Sequence, residues 1–296
     1  MNGRLQGIVA LCTAVSALGY LYADVMRDLL RDWSTDDNYS HGFLIVPIAG
    51  YLAWERRAAL RRAAPAPRSA GLVLIVAGLL MLISGMLGAE LFIARLSLLA
   101  VLAGGIVFVL GWAQLRILWF PLAFLLLMIP IPAILFNQIA FPLQLVASRV
   151  GAAGLGALGI PVLREGNVIA LASITLEVAE ACSGIRSLVS LFTLGVVVAY
   201  FMESRPWART AIALATVPIA IVSNGLRVAG TGVAAHYYGP EAAEGFMHTF
   251  SGWLVFIVAI VLLLAVQQML AWAFPARPGA GPGAAAGHTA AAAARA

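Results

Sequence analysis

Residues 71–89 read Gly71-Leu-Val-Leu-Ile-Val-Ala-Gly-Leu-Leu-Met-Leu-Ile-Ser-Gly-Met-Leu-Gly-Ala89, without one charged side chain. A helix rises about 1.5 Å per residue, so about 20 apolar residues cross a hydrocarbon core about 30 Å thick. The stretch just before has the opposite character. Glu55-Arg56-Arg57-Ala-Ala-Leu-Arg61-Arg62-Ala-Ala-Pro-Ala-Pro-Arg68 carries five arginines. An apolar span next to an Arg-rich loop marks a helical membrane protein with that loop on the cytoplasmic side.

The same apolar signature recurs along the chain. Spans are expected at roughly 5–23, 42–54, 71–89, 96–112, 117–135, 183–202, 210–228 and 249–272, the second of them short. The composition of the whole agrees. Of 296 residues, 62% are hydrophobic and 10% charged, against about 45–50% and about 25% in soluble domains. Mean hydropathy is +0.96. These values exclude an ordinary soluble domain, a disordered chain and a collagen-like repeat, and two cysteines exclude a disulfide scaffold. An outer-membrane barrel would show alternating strands rather than long apolar runs. The expected fold is therefore all-α: a polytopic helical membrane protein of about eight transmembrane helices with a small extracytoplasmic hairpin or interfacial segment.

Charge sets the orientation. All 18 basic residues are arginine. Alternating from the Arg-rich loop puts both termini in the cytoplasm, with 11 arginines and two acids inside, seven arginines and 11 acids outside. The net +5 is thus a topological asymmetry and implies no nucleic-acid partner. The first span has Arg4 ahead of an apolar core but no small-x-small cleavage site before Asp24, and reads as a retained signal anchor. From Pro275 the Pro-, Gly- and Ala-rich chain reads as a flexible cytoplasmic tail, 275–296, behind an integral membrane domain, 1–274. Within the long outer segment, 137–150 fits an amphipathic interfacial helix. The run 151–159 is Gly- and Ala-rich, Pro161 breaks the chain, and 168–178 alternates like a hairpin strand around Ser173.

Three residues at the outer ends of successive spans can carry chemistry. Cys182 lies in Glu177-Val-Ala-Glu180-Ala-Cys182-Ser183-Gly184-Ile-Arg186, at the mouth of the sixth span. A lone cysteine is commonly a small buried hydrophobe. Here the neighbours are polar, the outer compartment is oxidising, and a helix N-terminus with Arg186 favours the thiolate. Arg227 closes Asn224-Gly-Leu-Arg227 at the end of the seventh span; it reads either as a snorkelling interfacial cation or as a fixed charge for an oxyanion or carboxylate. His248 opens the eighth span, ahead of Gly252-Trp253, as a structural imidazole or as a general acid and base. Thiol, imidazole and guanidinium at one membrane level are the parts of acyl transfer through a thioester. His41, in Ser40-His41-Gly42-Phe43, reads as a loop residue or a substrate contact, and Glu177 and Glu180 as solvated acids or as partners of an imidazole or Arg186. No HExxH, CxxC, carboxylate cluster or phosphate loop points to a metal or cofactor.

In Ala181-Cys182-Ser183-Gly184-Ile185-Arg186, Asn224-Gly225-Leu226-Arg227, His248 with Gly252-Trp253, and Ser40-His41-Gly42-Phe43, the chain resembles the exosortases from about residue 20 to 272. The resemblance implies a membrane cysteine protease or transpeptidase with Cys182, Arg227 and His248 as catalytic residues and no cofactor. It implies secreted protein substrates that end in a Pro-Glu-Pro-like motif, a transmembrane helix and a basic cluster, cut at the outer face of a bacterial inner membrane. Asn224, Arg186, Glu180 and His41 are the supporting candidates. A transporter would carry charge at mid-membrane depth, and these span centres carry almost none. A non-catalytic component of an exopolysaccharide or envelope export system, and a protease that uses water alone as acceptor, both remain open.

Overall fold

The computed structural model describes residues 3–172, 174–178, 185–239, 241 and 245–275, with the side chains of 3–8, 10, 11, 185 and 245–251 outside that set. The elements run α1 (Gly3–Leu21), α2 (Ala23–Thr35), α3 (Gly42–Glu55), α4 (Arg57–Arg62), α5 (Ala70–Leu87), α6 (Leu91–Val109) and α7 (Trp112–Phe124, continued by a 3-10 turn to Met128). They continue with α8 (Ala133–Ala157), β1 (Leu163–Glu165), β2 (Val168–Ala170), β3 (Thr175–Glu177), α9 (Ile185–Met202), α10 (Pro206–Tyr238) and α11 (Gly245–Ala273). Among the described residues five helices are long and apolar enough to cross a membrane, and shorter apolar helices lie at 12–21, 42–55, 112–128 and 186–202. The protein is an all-α polytopic membrane protein. It divides into two compact units, residues 1–132 and 133–296.

In the first unit α5 and α6 form an antiparallel hairpin held by small residues. A Cβ on Gly71 would lie 2.3 Å from the Phe108 main-chain nitrogen, one on Gly78 2.6 Å from Val101, and one on Gly85 2.6 Å from the Ala94 nitrogen. Lipid is as apolar as the side chains, so such helices associate through close backbone contact. Gly71→Ala is therefore expected to force the helices apart at a cost of about 1–3 kcal/mol. Gly105→Ala, which faces open space, is expected to be nearly neutral. Thermal unfolding of the two variants in detergent checks this.

No element was expected between residues 24 and 41, yet α2 forms there as an amphipathic helix that buries Val25, Leu29 and Trp33. Their i, i+4, i+8 spacing is a single apolar stripe. Arg95, only 3% exposed on α6, pairs with Asp32 at 2.7 Å. The Tyr22 hydroxyl lies 2.9 Å from Ser97 Oγ, and the Trp33 indole N–H donates to the Met128 carbonyl at 2.9 Å.

In the second unit α9 and α10 form a hairpin in which Gly195 abuts Thr216, and α11 packs on both through Leu263. At the tight turn Glu203, 4% exposed, accepts the main-chain N–H groups of Ser204 and Arg205 and two guanidinium bonds from Arg205. The hydrogen bonds from the Arg205 side chain hold the Glu203 carboxyl below its ordinary range. Helix α8 differs from expectation. It is longer than the expected 137–150 at both ends, running from Ala133 to Ala157, 25 residues in all, and it stops before Pro161. The reason is packing against α10: Gly151 sits on Val228, Gly225 on Val150, and Gly232 on Leu155. These close contacts run in the same direction along both helices and outweigh glycine's poor helix propensity. The expected hairpin is present as β2–β3, and β1 extends it to a three-stranded antiparallel sheet. Ile169, Leu171 and Val178 pack with Ala147, Leu155 and Val228.

Candidate functional site

Helix α10 has 33 residues, about 50 Å of helix. That exceeds the bilayer core by some 20 Å. Arg227 lies 21 residues after Pro206, about 32 Å up the helix, a distance close to the thickness of a bilayer core. Its guanidinium rests against α11: a Cβ on Gly252 would lie 3.5 Å from Arg227 Cζ and Nη2. His248 occupies the position four residues before Gly252 on α11, hence the same helix face one turn nearer the N-terminus. Its side chain lies outside the described residues.

Cys182 and Glu180 also lie outside the described residues. The α9–α10 register, Gly195 on Thr216 and Ala213, is antiparallel. Ten residues back from Gly195, the start of α9 comes level with about residue 225 of α10, since both helices rise about 1.5 Å per residue. In sequence Cys182 precedes Ile185 by three residues. The first turn of α9, Arg227 and the His248 turn of α11 therefore share one level of the second unit.

Asn224 is buried beside this level at 2% exposure, and Arg186 is exposed on the first turn of α9. Glu177 is exposed at the end of β3. His41 belongs to the first unit. It caps α3 beside Tyr39, ring centroids 6.4 Å apart. Burial holds its imidazole below the ordinary histidine range, with main-chain groups of Leu127 and Asn38 partly opposing. Its neighbours in Ser40-His41-Gly42-Phe43 have a packing explanation. Gly42 leaves room for the Trp33 indole, which a Cβ would approach to 2.4 Å, and Phe43 meets that indole edge-on.

Two roles were not read from the sequence. Gly252, quoted above only as part of the His248 motif, is the seat of Arg227. Ser223 is 2% exposed, and its hydroxyl has no hydrogen-bond partner among the described residues. The polar pair Ser223-Asn224 near the end of an apolar span was the available signal.

The family model described as transmembrane exosortase (Exosortase_EpsH) matches residues 33–265. The chain belongs to the exosortases. The match spans both units of this exosortase and takes in Cys182, Arg227 and His248. No curated protein and no solved structure matches the chain.

Proposed function

We propose that this exosortase cleaves the C-terminal sorting signals of secreted proteins through a thioester on Cys182. The observation that carries the reading is the Arg227 guanidinium against Gly252, one helical turn from His248 and level with the start of α9. The Cys182 thiolate adds to the scissile carbonyl, and Arg227 pairs with the oxyanion that forms. Collapse to the thioester expels the amine, which takes a proton from His248. His248 then removes a proton from the incoming nucleophile, water or an envelope molecule, and the thiolate is released. Asn224 and Arg186 support this level; Glu180 and His41 are further supporting candidates. The substrates are secreted proteins with a Pro-Glu-Pro motif, a transmembrane helix and a basic cluster. Residues 1–274 form the membrane catalytic domain and 275–296 a cytoplasmic tail. The test is co-expression with a tagged protein bearing such a signal, its size followed by blot.

The active groups face outward from a bacterial inner membrane, with both termini cytoplasmic. Helix α8 bears on this, because it is long and apolar enough to cross. Counting it as a crossing reverses everything after it and leaves Arg205, Arg209, Arg277 and Arg295 outside. The positive-inside rule favours the count without it. With Cys12 and Cys182 replaced by alanine, a membrane-impermeant thiol reagent at the outer face is expected to label Tyr238→Cys and to spare Ser204→Cys. The reverse pattern would overturn the orientation.

A further inference from the structure

Among the described residues β3 is an edge strand of the three-stranded sheet, and in sequence it comes just before the Cys182 segment. Val178 N–H bonds to the Asn167 carbonyl at 2.9 Å, and Leu171 N–H bonds to the Ile174 carbonyl at 2.8 Å. Antiparallel pairs alternate between hydrogen-bonded and non-hydrogen-bonded. The pair between them in the bonded series is Ile169 with Leu176. Leu176 therefore turns its N–H and C=O toward β2, while Thr175 and Glu177 turn theirs to the outer side of β3. Among the described residues no strand pairs with that side. Thr175 and Glu177 are exposed, and Leu176 packs against the core of the unit. Unpaired strand edges are ready templates for another extended chain.

We propose that the outer edge of β3 binds the extended recognition segment of the secreted substrate by main-chain pairing, as a fourth strand beside Thr175–Glu177. This rests on the catalytic reading above for the identity of the occupant. Three observations favour it over any other surface of the sheet. The main-chain groups of Thr175 and Glu177 offer two N–H donors and two carbonyl acceptors on one line. In sequence Cys182 follows Glu177 by five positions, a chain length of at most about 17 Å. Pairing at β3 therefore presents a bond within about five strand residues, each about 3.4 Å, to the thiol. The outer edge of β1, at Arg164, lies two strands farther away, about 10 Å.

The chemistry of the occupant also fits. Proline has no N–H and is tolerated in a strand only where that missing donor faces away from a neighbour. A Pro-Glu-Pro segment laid along β3 can direct both prolines outward and use the middle N–H and C=O for the two bonds to one β3 residue. Opposite Glu177 the substrate glutamate would meet a like charge, which disfavours that register; opposite Thr175 it would not. The edge thus recognises a backbone pattern as well as side chains, which suits an enzyme acting on many different secreted proteins.

Binding separates this proposal from the chemistry. The full-length Cys182→Ala protein in lipid nanodiscs is titrated with a fluorescent peptide carrying a Pro-Glu-Pro segment. A second peptide is N-methylated at the central glutamate. The methylated peptide is expected to bind at least tenfold more weakly. Thr175→Pro, which removes an outward N–H without touching the β2 ladder, is expected to weaken the parent peptide by a similar factor. Arg164→Pro makes the same change on the far edge and is expected to leave binding within twofold. Equal affinity for the two peptides, or an equal loss from Arg164→Pro, would overturn the proposal. The catalytic reading fails separately, if the protein with Cys182 intact binds the peptide and leaves it whole.

Discussion

Cys182→Ala is expected to abolish processing of a Pro-Glu-Pro-tagged secreted protein while leaving the amount of exosortase in the membrane unchanged. Removing the nucleophile of a covalent mechanism costs about 10⁴-fold or more, because no other group can form the acyl intermediate. The accompanying change in volume is small, so stability should fall by no more than about 1 kcal/mol. Cys182→Ser tests the nucleophile further. It keeps the shape but supplies a hydroxyl far less ionised than a thiol near neutral pH, so its activity should lie near that of the alanine variant. The assay reads the ratio of full-length to trimmed substrate by blot at matched enzyme abundance. Equal trimming by wild type and Cys182→Ala would sink the thioester mechanism and favour a non-catalytic role in export.

The residues themselves explain what the sequence could and could not disclose. Apolar runs such as 71–89 have a single physical solution in a bilayer, a helix that satisfies its own backbone, so their identity as helices was legible directly. The helix expected at 137–150 stops short of the observed end of α8 at Ala157 because Gly151 and Gly154 are poor helix formers when read locally. Their value lies in contact with Val228 and Ala229, more than 70 residues away. Helix α2 was overlooked because hydropathy averages over both faces. Its stripe of Val25, Leu29 and Trp33 shows only when positions are read four apart. The expectation that three spans converge at the candidate site followed from charge and alternation. The seating of Arg227 on Gly252 did not, because a glycine announces neither its helix face nor its neighbour.

Arg227 carries the second large effect. Arg227→Ala is expected to lower kcat/KM for processing by about 10²–10³, the usual cost of losing one group aimed at a developing oxyanion. The guanidinium presents a planar fork held between α10 and Gly252, whereas an ammonium is a point charge on a flexible stem. Arg227→Lys should therefore recover only part of the loss, although the charge is retained. A purely interfacial anchor would behave otherwise, since lysine snorkels as well as arginine, and full rescue by lysine would refute the catalytic role. Gly252→Leu adds the complementary change on the other helix. Its side chain claims the space beside Cζ and Nη2, so it should displace the guanidinium and reproduce most of the Arg227→Ala defect without altering any charge. Gly252→Ala should be tolerated, because a Cβ there meets Arg227 at 3.5 Å, an ordinary contact. The kinetic split then decides what the cation does. A fall in kcat at constant KM means that Arg227 acts on the transition state alone, and a rise in KM at constant kcat means that it binds the substrate before bond-breaking.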